Sequence, residues 1–397
     1  MLHKNLTKSL IASAVLTGLA GGLATSAQAA DGPEWSFSGY VKLDAMISDY
    51  GDGSAGNGTD RNIGRQFYIP SLTPVGGQGD DQVTDFHARQ SRFFFDVKQT
   101  LENGEAISGR IEMDFLTVPS GDERISNSYA PRLRQAYLTY KNWMIGQAWS
   151  NFQDLSILPE SVDFVGATDG MVFMRQPQVR YTDGNWSVSI ENPETTVSLI
   201  NPGTGAVSRQ ATGEGLMPDF TAKWKNKTGN LSYSVAGLFR QLAYDIDGNG
   251  SDETTAGYGI TVGAKYAFDG GNDIRASFTT GKGIGRYMGL NTFNGAYVDP
   301  NNSLEALTVS GVTFAYRHHW NDTTRSNFVY SRGWADNKDN LAGSLATEFT
   351  QRIGVNLMHS VDKKLTFGGE VSLAQRENEA GQEGDLTRLQ FMAMYSF

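Results

Sequence analysis

The chain has 397 residues, no cysteine, and 33 lysine and arginine residues against 43 aspartate and glutamate residues. The lack of cysteine excludes disulfides, thiolate metal sites and thiol chemistry. A net charge of −10 argues against nucleic-acid binding, since a duplex is bound through a basic surface. With 46 glycines, 11% aromatic residues and a mean hydropathy of −0.37, the composition predicts an ordered, β-rich protein.

The first residues have the pattern of a cleaved signal peptide. Lys4 and Lys8 give a positive start, a short apolar core follows, and residues 27–29 (Ala-Gln-Ala) resemble a signal-peptidase site. The apolar core is too short to span a bilayer, which requires about 20 residues. We therefore expect residues 1–29 to be removed and residues 30–397 to form one exported domain.

The rest of the chain consists of segments in which apolar and polar residues alternate. Residues 35–47 show this most clearly, with an apolar residue or glycine at every second position, as in a strand with one wet face. About sixteen such segments occur, near residues 34–48, 86–99, 106–117, 131–141, 143–150, 173–182, 186–198, 217–225, 231–242, 257–268, 273–282, 306–318, 324–334, 347–359, 364–376 and 385–397.

The connections between these segments alternate in length. Short polar turns follow one end of each strand pair, and long loops rich in Gly, Asn, Asp and Ser follow the other. This alternation is typical of an outer-membrane barrel with short periplasmic turns and long extracellular loops, whereas a soluble sandwich does not require it. Aromatic residues fall at the turn-side ends of outward faces, as an interfacial girdle requires, at Trp35, Trp186, Trp224, Phe268 and Phe397.

The sequence thus predicts an all-β fold, a transmembrane antiparallel β-barrel of 16 strands. Strands, turns and loops use the whole length, so no residues are left for a plug domain. Because barrels of 16 to 18 strands can leave an aqueous channel, we expect the lumen to conduct.

One long connection, residues 151–172, is unusually apolar for an exposed loop. We expect this loop to fold into the barrel, because it would otherwise present an apolar patch to water. The alternative is that it packs over the extracellular rim or at a subunit contact. Folded inward, it would bring four acids into the pore, Asp154, Glu160, Asp163 and Asp169.

Basic residues on neighbouring strands share the predicted inner face. A charge facing lipid near the bilayer midplane costs about 2 to 4 kcal/mol, so these residues must face water. We name Lys42, Arg92, Arg110, Arg132 and Arg134 the cationic column. The predicted lumenal site comprises Lys42, Arg92, Arg110, Glu112, Arg132, Arg134, Arg180 and Arg388. Further inward-facing arginines are predicted at Arg175 or Arg180, Arg240, Arg275, Arg317, Arg325, Arg352 and Arg388.

Two interpretations of these basic residues remain open. In the first, the cationic column and the acidic loop face each other across the pore and form a constriction that attracts anions. In the second, the arginines pair with acids of the wall and only stabilise it; the candidate acids are Glu112, Asp114, Glu191 and Glu370.

Six short segments of the chain carry a family resemblance, at residues 38–44, 88–93, 109–115, 134–137, 145–150 and 388–390. They resemble the corresponding segments of the DcaP-like outer-membrane porins of Gram-negative bacteria. This resemblance implies a trimeric, sixteen-stranded channel for small organic anions such as dicarboxylates, with selectivity set by lumenal arginines. On this chain those would be Arg92, Arg110, Arg132 and Arg134. Some members carry a coiled-coil segment before the barrel; here only residues 30–34 precede the first strand, so trimerisation would depend on the barrel walls.

Other chemistry is poorly supported by the sequence. Asp245, Asp247 and Asn249 match the first half of a calcium loop, but Ala256 stands where a bidentate glutamate is required. The alternative is a solvated acidic loop. We expect no enzyme, since a phospholipase would need a serine beside a histidine base on one strand face, and no such pair occurs in the predicted strands. No cofactor and no other metal site is expected.

The sequence therefore predicts an outer-membrane porin that passes small anionic solutes. Its partners would be those solutes, outer-membrane lipid, lipopolysaccharide and two further copies of the chain, with no nucleic acid. Two alternatives remain: a selective channel for neutral or apolar molecules such as sugars, aromatic or hydrocarbon-derived compounds, with Tyr40, Phe94 and Tyr140 as platforms; and a closed structural or adhesive barrel.

Overall fold

The computed structural model describes residues 32–54, 63–118, 126–200, 207–213, 215, 217–246, 248–250, 252–299, 301–337 and 342–397. The predicted signal peptide lies outside them and remains a prediction. The strands are β1 (Glu34–Tyr50), β2 (Asp81–His87), β3 (Arg92–Thr100), β4 (Ala106–Asp114), β5 (Arg132–Tyr140), β6 (Trp143–Trp149), β7 (Arg175–Asp183), β8 (Trp186–Glu191), β9 (Thr195–Ile200), β10 (Val207–Thr212), β11 (Asp219–Thr228), β12 (Leu231–Tyr244), β13 (Glu253–Ala267), β14 (Asp273–Lys282), β15 (Ala296–Val298), β16 (Leu304–Ala306), β17 (Thr308–His319), β18 (Thr324–Asp336), β19 (Thr347–Ser360), β20 (Leu365–Asn378) and β21 (Glu383–Ser396).

Short 3-10 helices also occur in the described loops. They cover Ile63–Arg65, Pro70–Leu72, Leu155–Ile157 and Gly285–Tyr287. None of the helices in the described ranges has the length and hydropathy to cross a membrane.

Seventeen of the described strands form one closed antiparallel sheet. The last strand closes it by pairing with the first, so that Tyr40 lies opposite Ser396 and Tyr50 opposite Leu386. Strands β2 and β3 pair with successive halves of β1 and occupy a single position in the wall. The wall therefore has 16 strand positions, which confirms the predicted fold.

Two predicted segments are divided in the structure. Residues 88–91 interrupt the segment at 86–99 with a turn, in which the Ser91 amide donates to the Ala88 carbonyl at 3.0 Å. The segment at 186–198 leaves the wall after Glu191, and Pro193 follows in the gap. A proline has no amide hydrogen to continue a strand ladder, so the chain starts a separate strand, β9, beyond it.

Alternation along each wall strand separates a lipid face from a lumenal face. On β1, Val41 and Leu43 are about half exposed, at 52% and 49%, whereas Lys42 and Asp44 are buried at 2% and 0%. At the short-turn end, aromatic side chains form the predicted girdle. Trp186 and Trp224 pack at 6.4 Å between ring centroids, and exposed rings continue around the barrel at Trp35, Trp143, Phe268, Trp320 and Phe397.

A second sheet lies among the long loops. It consists of the hairpins β9–β10 and β15–β16, joined by a parallel pairing of β9 with β15. Its inner residues Val197, Ala296 and Leu304 form an apolar cluster with Leu242, which lies at the long-loop end of β12. The long loops at this end are thereby packed onto the barrel.

Candidate lumenal constriction

The connection between β6 and β7, predicted as residues 151–172 and named here the inner loop, lies inside the barrel. Glu370 on β20 accepts hydrogen bonds from the Ser161 hydroxyl and the Val162 amide, both at 2.8 Å. On β18, the Ser331 hydroxyl donates to the Ala167 carbonyl at 3.0 Å. The loop thus crosses the lumen to the opposite wall, as its composition predicted, and does not pack over the rim.

Glycines make this close approach possible. A side chain at Gly170 would overlap the carbonyl oxygens of Val312 and Arg332 on β17 and β18, because the loop backbone lies directly against those strands. The Gly170 amide also donates to the Ser331 hydroxyl at 2.8 Å.

We expect Gly170→Ala to displace the inner loop from the wall, since backbone atoms cannot yield as the end of a flexible side chain can. The expected result is a changed single-channel conductance with more current fluctuation. Recording in planar bilayers checks this, with Gly32→Ala as the control, because a side chain added at Gly32 meets no atom within 4 Å. An unchanged trace for Gly170→Ala would contradict the described loop packing.

The first long connection also enters the mouth of the barrel, which the sequence did not predict. Phe67 and Tyr68 are buried, and the Phe67 ring packs against Phe164 of the inner loop at 4.9 Å. The Tyr68 hydroxyl donates to Asp169 at 2.8 Å. The only signal in the sequence was a short apolar run among the glycines of this loop.

Lys42, the first member of the cationic column, supports the inner loop. Its ammonium group lies 3.0 Å from Asp44 and donates to the Val162 carbonyl at 2.7 Å. With 2% of its surface exposed, Lys42 does not line the open lumen. Its predicted contact with a solute is therefore corrected to a contact with the loop backbone.

Three arginines surround two carboxylates at the level of the inner loop. Arg132 binds Asp114 through two nitrogens, both at 2.8 Å, and Arg134 reaches Asp114 at 2.8 Å and Glu112 at 2.5 Å. Arg92 lies 3.2 Å from Glu112 and 3.8 Å from Asp114. Paired guanidinium and carboxylate groups of this kind fix each other in place.

A fourth arginine joins them without a carboxylate at ion-pair distance among the described residues. The Arg175 guanidinium lies over the Trp149 ring at 4.8 Å, and Arg134 lies over the same ring at 5.9 Å. Arg134 also lies 5.1 Å from the Phe164 ring of the inner loop. We name Arg92, Arg132, Arg134 and Arg175, with Glu112 and Asp114, the upper arginine cluster. It holds four cations and two anions.

The remaining predicted basic residues lie apart from this cluster. Arg110 pairs with Asp96 at 2.6 Å, closer to the short-turn end, and 38% of its side chain is exposed. Arg180 donates to Gln178 at 2.8 Å. Arg388 is buried and donates to the Ser48 hydroxyl and the Gly64 carbonyl at 2.8 Å each, so it anchors the first long connection and does not line the constriction.

The inner-loop acids do not face the cationic column across open water, which corrects the predicted arrangement. Asp154 caps a 3-10 helix by accepting from the Ser156 amide at 2.9 Å. Asp163 accepts from the Tyr68 amide at 3.1 Å, and complete burial raises the pKa of Asp169 to about 6. Each buried carboxylate needs a nearby donor, and these three acids accept from backbone amides and from hydroxyl groups.

Glu160 extends to basic groups on the wall opposite the column. It accepts from Arg325 at 2.7 Å and lies 3.3 Å from Arg317. Arg275 and Lys265 lie beside them, 2.6 Å and 3.4 Å from Asp273. We name Lys265, Arg275, Arg317 and Arg325, with Glu160 and Asp273, the lower arginine cluster. The sequence predicted these arginines to face inward but could not group them.

The candidate calcium loop lies only partly within the described residues, since Asp247 is outside them. The Asp245 carboxylate accepts from the backbone amides of Asn249 at 3.1 Å and Gly250 at 2.7 Å. Among the described residues, no group of three or more acidic or histidine side chains is placed to hold a metal ion.

A closed barrel of 16 strands, narrowed by a loop folded into a charged lumen, defines a channel of the porin class. A family model described as DcaP outer membrane protein matches residues 29–397. The chain therefore belongs to the DcaP outer membrane protein family, which places it in the outer membrane of a Gram-negative bacterium, as predicted.

Solved structures show the same fold. The outer membrane channel DcaP of Acinetobacter baumannii is 23% identical, with a TM-score of 0.74 and coverage of 94% of this chain and 100% of that chain. OmpT of Vibrio cholerae is 13% identical, with a TM-score of 0.53 and coverage of 94% and 100%. An anion-selective porin from Comamonas acidovorans is 11% identical, with a TM-score of 0.54 and coverage of 92% and 100%. No curated protein sequence matches the chain.

Proposed function

We propose that this porin is a passive diffusion channel for small anionic organic solutes such as dicarboxylates, and that it works as a homotrimer without catalysing a reaction. The observation that supports this most directly is the excess of cations in both arginine clusters, each with four basic groups around two carboxylates. The homotrimer rests on the family resemblance alone.

The carboxylates have two roles in this proposal. They hold the guanidinium groups at fixed positions, and they reduce the net charge so that an anion is not bound too tightly to leave. Conduction requires favourable entry together with weak binding at several sites. The upper cluster followed by the lower cluster supplies two such sites along the barrel.

A channel for sugars or apolar solutes is the second candidate, because aromatic rings face the lumen. The Tyr40 ring lies 5.4 Å from the Arg92 guanidinium, and the Phe94 ring lies 5.3 Å from that of Arg110. A ring covered by a cation offers less free surface for sugar stacking, so the contacts favour the anion channel.

The experiment that tests the proposal is a reversal-potential measurement in a planar bilayer under a salt gradient, repeated with a millimolar dicarboxylate. We expect anion selectivity, and blockage of the current in three steps from a trimer. Cation selectivity would overturn the anion proposal. A silent membrane would favour a closed structural barrel, and blockage in one step would overturn the trimer.

Arg110 provides a further test because, in the part of the chain that the structure describes, it pairs with a single acid, Asp96. We expect Arg110→Ala to shift the reversal potential toward cation selectivity, since it leaves Asp96 uncompensated near the short-turn mouth. The double variant Arg110→Ala/Asp96→Asn restores the local charge and should return the potential to that of the parent. If both variants give the reversal potential of the parent, this pair does not influence selectivity.

A further inference from the structure

A cavity of about 310 Å³ opens at the extracellular end, above the constriction. Its walls come from four different connections and from the upper end of β20. They include Ser71 of the first long connection, Arg209 on β10, Phe293 before β15, and Leu345 before β19. A volume of this size is within the range of pockets that hold small ligands, about 300 to 1,000 Å³.

Two arginines, Arg209 and Arg376, face this cavity, and among the described residues they bond only to neutral acceptors. Arg209 donates through Nε to the Asn294 side chain at 2.6 Å and through Nη2 to the Thr292 carbonyl at 3.0 Å. Arg376 donates through Nε to the Thr347 hydroxyl at 3.0 Å. Its Nη1 donates to two backbone carbonyls of the first long connection, at 2.8 Å and 3.1 Å.

These bonds orient both guanidinium groups without neutralising them. Within the described part of the chain neither arginine has a carboxylate at ion-pair distance, unlike Arg110 beside Asp96 or Arg240 beside Asp219. Partial desolvation in the cavity and the positive charge of Arg376 both lower the pKa of Arg209. Two like charges held near each other favour the binding of an anion between them.

The guanidinium nitrogens that these bonds leave unused, together with the apolar part of the cavity, indicate the kind of ligand that fits. Arg209 Nη1 and Arg376 Nη2 have no hydrogen bond to the described residues, and each can donate to one oxyanion group. Leu72, Phe293 and Leu345 supply apolar surface in the same cavity. A carboxylate with a short hydrocarbon body matches both features, since guanidinium binds the head and the apolar wall covers the tail.

We propose that this vestibule, between Arg209 and Arg376, is a capture site for small organic acids with one carboxylate head and an apolar body. The site is separate from both arginine clusters. Its occupation would raise the concentration of such anions next to the constriction before they pass it. Binding there does not depend on the ion selectivity proposed above, so the two proposals can fail independently.

The test uses the full mature protein in planar bilayers of known orientation, with hexanoate as the probe. We expect extracellular hexanoate to block the current, and Arg209→Gln or Arg376→Gln to raise the half-blocking concentration about tenfold, because a charge-assisted bond is lost. When hexanoate is added on the periplasmic side, these substitutions should leave the half-blocking concentration unchanged. Lys363→Gln, in an exposed periplasmic turn, removes the same charge and should leave the block unchanged.

Two further measurements complete the test. Arg209→Lys keeps the charge and should retain much of the block, which separates a binding role from a purely structural one. Inorganic phosphate should block more weakly than hexanoate if the apolar wall contributes. The proposal would be overturned by equal half-blocking concentrations in the parent and the Gln variants. It would also be overturned if the Gln variants lost the hexanoate block equally from both sides of the membrane, or if phosphate blocked as strongly as hexanoate.

Discussion

Glu370→Ala is expected to destabilise the barrel and to release the inner loop from the wall. Glu370 is almost fully buried, binds the Arg352 guanidinium, and accepts from the Val162 amide at 2.8 Å and from the Asn356 side chain at 3.1 Å. Its removal takes away the carboxylate that lies at ion-pair distance from the buried Arg352, and breaking such a pair costs about 3 to 5 kcal/mol.

The readouts are the free energy of unfolding in urea, measured in detergent micelles, and the single-channel conductance. We expect the free energy of unfolding to fall by about 3 kcal/mol, the lower end of that range, and the conductance to rise as the loop withdraws. Glu34→Ala, at an exposed position at the start of β1, removes the same charge and serves as the control.

A second variant separates the two effects. The double variant Arg352→Met/Glu370→Gln removes both buried charges, so most of the stability should return. The side-chain amide that the second substitution introduces still offers an acceptor to the inner loop. If Glu370→Ala unfolds like the parent and conducts like the parent, then Glu370 does not anchor the inner loop.

Arg175→Gln is expected to reduce anion selectivity with little loss of stability. Arg175 stacks on Trp149, and it has no carboxylate partner at ion-pair distance among the described residues, so its removal orphans no acid. A unit charge about 7 Å from a passing ion contributes about 0.6 kcal/mol in water, which corresponds to about a threefold change in permeability ratio.

The measurement is the reversal potential in a chloride gradient, before and after substitution. Arg175→Lys should keep most of the selectivity, and Lys363→Gln in the periplasmic turn should keep all of it. The opposite change, Glu112→Gln, removes an anion from the same cluster and should increase anion selectivity. Shifts of the same sign for Arg175→Gln and Glu112→Gln would contradict an electrostatic origin of selectivity.

The sequence by itself determined the barrel. Because a strand that crosses the membrane faces lipid on one side and water on the other, its side chains must alternate, and this local pattern is visible in residues such as Val41, Lys42 and Leu43. The number of strands, the lengths of the connections and the inward fold of the apolar loop follow from the same solvent constraint.

Only the tertiary structure decided which charges meet. Inward arginines could be identified from alternation, but their partners lie on distant segments: Glu160 meets Arg325, and Arg388 meets the Gly64 carbonyl. A long side chain inside a barrel can reach several wall positions and any loop folded between them. Which carboxylates neutralise which arginines, and where positive charge is left over, therefore depends on the path of loops that have no periodic pattern to reveal it.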